Sequence, residues 1–371
     1  MNEYTGGRYV QDVEILVILR VLIRLSEDLS KDCNTSTSQV VESVCGYLET
    51  AYHVLHNLWS QPEPSSLALS TGRTASLKEL EWFAQTAWNF GLQSCEVWKD
   101  DTLTNRFLGI AFKLLDLIMP ETMDTIHRKK LCLFISIASR MLENCDRDPK
   151  IIHIVLEDIK KLKRLKSVAT SLSVSVTTDS IVSDPTDGLV LLFEFEANVR
   201  LKQYENAVQT IQVADSFKQL SLHIFERMAD ILLKEPDCPS TVTFIMLQFV
   251  LEAILSREKI DFVRYARWMR ILVTAALVRN KPAALPYFAQ VIAYLKDMAK
   301  DQYPQDEIRY LMVVAWNEGI DYFQGSDLAS ARVWCEVALS FLQHIHGNKA
   351  LECEMRETFR KICATKIPFD D

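Results

Sequence analysis

Apolar residues recur every three to four positions along most of the chain, the spacing of helices that bury one face. In the first part the pattern predicts helices over 10–31, 37–59, 77–98, 103–119, 124–144 and 148–166. Further on it predicts hairpins over 188–215, 219–256, 262–298 and 306–346, then a last helix over 349–364. Two stretches break the period. Residues 60–76 hold Pro62, Pro64 and Gly72 and read as a surface loop. Residues 167–187 are rich in Ser, Thr and Val and end near Asp184-Pro185. The alternation SLSVSV has no second strand to pair with, so this segment reads as a flexible loop between helical parts. The expected organisation is N-terminal helical repeats over 1–166, a linker over 167–187 and C-terminal repeats over 188–371, all one solenoid.

The most apolar stretch, VEILVILRVLIRL at 13–25, is interrupted by Glu14, Arg20 and Arg24. It is too short and too charged to span a bilayer. Apolar residues crowd all but one narrow side of it, which predicts a well-buried helix.

The segment AWNFG at 87–91 returns as AWNEG at 315–319. Around it, Glu79, Leu80, Trp82, Ala87, Trp88, Asn89, Gly91 and Leu92 match the residues 228 positions later in identity or type. The match continues with one residue inserted, from Phe107 and Ala111 to Trp334 and Ala338. In the second copy, small residues fall at Gly319, Ala331 and Ala338, with Tyr322 among them. A third copy shows Phe195 in the small site, then Tyr204, Ala207 and Ala214. Antiparallel helices approach closely only where side chains are small, and this spacing is that of a tetratricopeptide (TPR) repeat. The fold class expected is therefore all-α, a TPR-like solenoid of helical hairpins. Within it, Asn89 and Asn317 are expected to satisfy backbone groups of a neighbouring repeat. Trp88 and Trp316 should lie beside the small-residue face, partly exposed.

Composition supports long helices, since the 371 residues include only 10 glycines and 11 prolines. The net charge of −8 argues against direct binding to nucleic acid through phosphate contacts. Nine cysteines, with no CxxC, read as reduced and mostly core positions of an intracellular protein, as at Cys95, Cys132 and Cys335.

The run over 303–345 resembles the C-terminal signature of the Spo-twenty-two/Zip-four family, meiotic TPR proteins that promote crossovers. The hairpin at 264–296 is similar to the one before that signature, and 80–118 resembles the family's more N-terminal hairpin. This resemblance implies a non-enzymatic scaffold on meiotic chromosomes in the nucleus, promoting crossovers and synaptonemal complex assembly. Implied partners are crossover proteins, including the Zip-two/Spo-sixteen pair and the MutS-like heterodimer, and a synaptonemal central-element protein. By position, Trp316 and Asn317 match the family's aromatic-asparagine contact to that last partner, and Trp88 and Asn89 are the lesser candidates. Family members are usually longer, so this chain is expected to hold the C-terminal portion.

Beside the resemblance, the residues show no P-loop, GxGxxG, GxSxG or HExxH. The pairs His53/His56 and His344/His346 lack cysteine or carboxylate companions in sequence. No catalytic residue, metal, cofactor, membrane or small-molecule substrate is expected. The basic run KKLKRLK, Lys160 to Lys166, reads as a solvated helix end. A generic TPR adaptor that receives acidic tails, as co-chaperones do, is the alternative function.

Overall fold

The computed structural model describes residues 2–32, 37–60, 67–143, 148–173, 186–217, 220–297, 302–345, 347 and 349–365. Among them the regular structure is helical throughout, with no strand. The first helices are α1 (Asn2–Asp32), α2 (Thr37–Trp59), α3 (Leu67–Gln93), α4 (Asp101–Asp116), α5 (Met123–Glu143) and α6 (Pro149–Ser173). Next come α7 (Thr186–Arg200), α8 (Tyr204–Ser216), α9 (Leu222–Lys234), α10 (Ser240–Leu255) and α11 (Phe262–Arg279). The last are α12 (Lys281–Asp297), α13 (Gln305–Gln324), α14 (Leu328–Leu342) and α15 (Lys349–Ala364). The fold is an all-α array of helical hairpins.

Packing divides the chain into two compact units, Met1–Thr210 and Ile211–Asp371, with the boundary inside α8. In the first unit each helix from α1 to α7 packs on the next, and α1 meets α3, α2 meets α4 and α5 meets α7. In the second, the hairpins α9/α10, α11/α12 and α13/α14 follow one another, α11 meets α13, α12 meets α14, and α15 lies on α14. Contacts to the next helix and the next but one are those of a repeat array.

Three expectations need correction. The loop expected over 60–76 is shorter: residues 61–66 lie outside the described residues, and α3 already begins at Leu67. The loop expected over 167–187 loses both ends. Residues 167–173 continue α6, 186–187 open α7, and 174–185 lie outside the described residues. The third concerns α1. Leu16, Leu19 and Ile23 are buried, but Val17, Ile18, Val21 and Leu25 are each about half exposed. A nearly all-round apolar pattern says that a helix can be buried, not that neighbours surround it.

The repeat seen in the sequence is a repeat of structure. Gly91 lies against Leu108 and Gly319 against Cys335, so close that an added Cβ would stand 2.7 Å from Leu108 Cδ2 or 2.5 Å from Cys335 Sγ. Leu108 and Cys335 are equivalent in the register of the second helix. Both second helices start alike, the Asp100 carboxylate accepting from the Leu103 N–H and that of Asp327 from the Ser330 N–H. Just before each cap stands a left-handed residue, Lys99 at φ 55° and Ser326 at φ 68°. The third copy has the same turn, with Lys202 at φ 58°. After that residue the chain closes back five positions, Asp327 N–H to Tyr322 O at 2.9 Å and Gln203 N–H to Asn198 O at 2.8 Å.

The first copy closes back six positions instead, Asp100 N–H to Ser94 O at 3.1 Å. The inserted residue accounts for this. It is taken up as a π-helical turn, Ser94–Trp98, that ends α3 without disturbing the turn or the cap beyond it.

Candidate docking surfaces

The five residues of AWNxG divide by direction. Successive helical positions are 100° apart, so alanine and glycine, four apart, share a face. Ala87 and Ala315 are fully buried against the partner helix. The tryptophan sits at the edge of that face. Trp88 is half-buried against the first unit's core. Trp316 packs with Ile320, Phe323 and Phe359 around Ala331, Cys335 and Ile362. Phe359 and Ile362 belong to α15, so one more helix packs on the last hairpin's aromatic face and leaves Trp316 partly exposed.

The asparagines turn outward. Asn89 and Asn317 are both exposed, which corrects the expectation that they satisfy backbone groups of a neighbouring repeat. Their surroundings differ. Asn89 Oδ1 accepts from Gln85 Nε2 at 2.8 Å, and Arg128 of α5 donates to Gln85 Oε1 at 3.1 Å. The residue equivalent to Gln85 is Val313, 46% exposed. Among the described residues the Asn317 amide therefore has no side-chain partner, and an apolar side chain lies one turn before it. Val313 escaped sequence reasoning because it stands in the apolar run YLMVVAW, beside the core residues Leu311, Met312 and Ala315.

A further pair of equivalents braces these helices. Arg20 of α1 pairs with Glu79 at 2.6 Å and lies 4.7 Å from the Trp82 ring. Arg270 of α11 pairs with Glu307 at 3.4 Å and lies 3.8 Å from the Tyr310 ring. Glu79/Trp82 and Glu307/Tyr310 are the same positions of the repeat. In each unit a cation from the preceding hairpin clamps an acid and an aromatic ring on the helix that carries Trp-Asn.

The basic run is engaged within the fold. Lys160 pairs with Glu157, Lys161 with Asp158, Lys163 with Glu194 at 2.5 Å, and Lys166 with Asp187. The last two tie α6 to α7. Burial pushes the thiols of Cys45 and Cys335 up to about 11 and that of Cys132 up to about 12, so these cysteines pack as neutral, small apolar groups. Among the described residues no three His, Cys, Asp or Glu side chains gather as a metal site would need. Among them, too, no helix is long and apolar enough to cross a membrane. No known protein family's sequence profile and no solved structure matches this chain.

Proposed function

We propose that this chain is a non-enzymatic protein-interaction scaffold, a TPR-like solenoid whose α13 offers Val313 and Asn317 to a partner beside the half-buried Trp316. The observation that carries this reading is the exposed Asn317 amide, without a side-chain partner among the described residues and next to the half-exposed Val313. An exposed amide can pair with a partner's backbone while the valine is removed from water. The rigid hairpin beneath fixes both groups before binding, which lowers the ordering cost. The resemblance of 303–345 to the Spo-twenty-two/Zip-four family supports a place on meiotic chromosomes in the nucleus, acting in crossover formation and synaptonemal complex assembly, with a central-element protein as the partner at this patch.

Affinity capture from meiotic cells tests this. The wild-type chain should recover crossover and synaptonemal proteins. Asn317→Asp combined with Val313→Asp should lose the central-element protein, whereas Asn89→Asp should keep it. Recovery of chaperones in their place would favour the generic adaptor.

A further inference from the structure

The first unit carries a groove of about 600 Å³ across α2, α4 and α6, with α5 behind it. Cations and carboxylates are unevenly placed along its walls. On the α2 side Arg106 is held by two carboxylates, Glu42 at 2.5 Å and Glu49 at 3.2 Å, so its charge is already answered. Toward α6 the balance reverses. Asp158, nearly buried, is shared by Arg140 at 2.7 Å and Lys161 at 2.8 Å, one carboxylate between two cations. Lys113 of α4 adds a further cation, beside Tyr52 of α2. Its ammonium lies 5.5 Å from the Tyr52 ring centre, and among the described residues no carboxylate pairs with it. Arg106, Lys113, Arg140 and Lys161 therefore line the groove with two carboxylates, Glu49 and Asp158, a local surplus of cations in a chain of net charge −8. One turn before Asp158, Ile154 stands 47% exposed on the same wall. Gly109 of α4 leaves open space, with nothing within 4 Å of where a Cβ would be.

We propose that this groove binds an acidic peptide segment of a protein partner, with carboxylates set against Lys113 and Lys161 and an apolar side chain seated on Ile154. The chemistry follows from the imbalance. A concave wall with a local surplus of cations attracts carboxylates more strongly than the same charges would on a convex surface. The exposed isoleucine gives the segment an apolar anchor that a purely electrostatic ligand would not need. Lys161 is about half exposed, so its ammonium can meet a second carboxylate without abandoning Asp158. Arg106, already paired with Glu42 and Glu49, contributes little, which sets the expected direction of the mutational effects. This site belongs to the first unit, whereas Val313 and Asn317 belong to the second, and its occupancy does not depend on the meiotic reading.

The test is panning of a fully randomised peptide display library on the intact chain, followed by fluorescence binding of the enriched peptides. Enriched sequences should be acidic with an apolar residue among the acids, and their binding should weaken as salt is raised. Lys113→Glu with Lys161→Glu should weaken that binding about tenfold or more, and Ile154→Asp should weaken it as well. Lys160→Glu, on the same helix outside the groove, should leave it unchanged, and circular dichroism would confirm that each variant is folded. Enrichment of neutral or basic peptides, no enrichment at all, an equal loss with Lys160→Glu, or displacement of the peptide by a single-stranded oligonucleotide would overturn the proposal.

Discussion

The α3–α4 and α13–α14 hairpins share a turn, a cap, a close glycine contact and an arginine clamp, yet they fill the contact differently. In the first, Gly91 faces the end of a leucine side chain. In the second, Gly319 faces Cys335 with its backbone nitrogen and the Ala331 carbonyl close behind, at 3.1 and 3.3 Å from an added Cβ. The backbones therefore come closer in the second hairpin than in the first, where the nearest backbone atom, the Leu108 nitrogen, stands 3.5 Å from an added Cβ. One repeat pattern thus supports two tolerances to change.

The largest effect should come from filling the glycine. Alanine in a helix interior gains about 1 kcal/mol of intrinsic propensity over glycine, and overpacking a tight contact costs about 1–3 kcal/mol. In Gly91→Ala the obstacle is the end of a leucine side chain that can shift, so the two terms should nearly cancel. In Gly319→Ala the backbone stands in the way, and a net loss of about 1–2 kcal/mol is expected in chemical unfolding. Adding Cys335→Ala should recover part of the loss, since the nearest obstacle is Sγ. Equal losses at the two glycines would remove the distinction.

How far the chain announced this is uneven. The ends of α2 and α15 fall where periodicity placed them, at Thr37–Trp59 and Lys349–Ala364, because each apolar stripe stops abruptly. The start of α3 did not, since Gly72 signals a turn and yet lies inside the helix. Glycine is tolerated there at modest cost, whereas proline would not be. The inserted residue was visible in the alignment of the copies. Its form as a π-helical turn was not, because an insertion can equally lengthen a loop. The small-residue face was legible from spacing alone. The outward asparagines were not, because Trp88 and Asn89 differ by one helical step. Whether Asn89 meets a neighbouring repeat or a glutamine on its own helix is decided by what lies across from it, which one helix's pattern does not contain.

The arginine clamps give a smaller contrast. Arg20 makes the shorter ion pair, and both its partner and itself are about one-quarter to one-third exposed, whereas Arg270 is about half exposed. Screening weakens the second pair more. Arg20→Ala should destabilise by about 1–2 kcal/mol and Arg270→Ala by about 0.5–1 kcal/mol, the ring contact supplying part of each. Added salt should narrow the gap between wild type and Arg270→Ala more than that between wild type and Arg20→Ala, since the more exposed pair is the better screened. The reverse order would mean that the Tyr310 ring, at 3.8 Å, outweighs the ion pair.

The smallest effect concerns the asparagines and is informative through its sign. Glutamine is the better helix former by a few tenths of a kcal/mol. At Asn89 that gain is opposed by loss of the contact with Gln85, a pair one turn apart of the kind worth about 0.2–0.5 kcal/mol. Asn89→Gln should therefore leave stability unchanged. At Asn317 the equivalent neighbour is Val313, and no such contact exists to be lost among the described residues. Asn317→Gln should stabilise the chain by about 0.3 kcal/mol, while moving the amide about one methylene away from where a partner's backbone would meet it. Paired urea titrations of the two variants, beside partner binding, separate these contributions. A more stable Asn317→Gln that binds less well would show an asparagine retained against its own helix's preference. A loss of about 1–3 kcal/mol at Asn317 would instead mean a satisfied hydrogen bond had been broken, and the docking role of α13 would have to be given up.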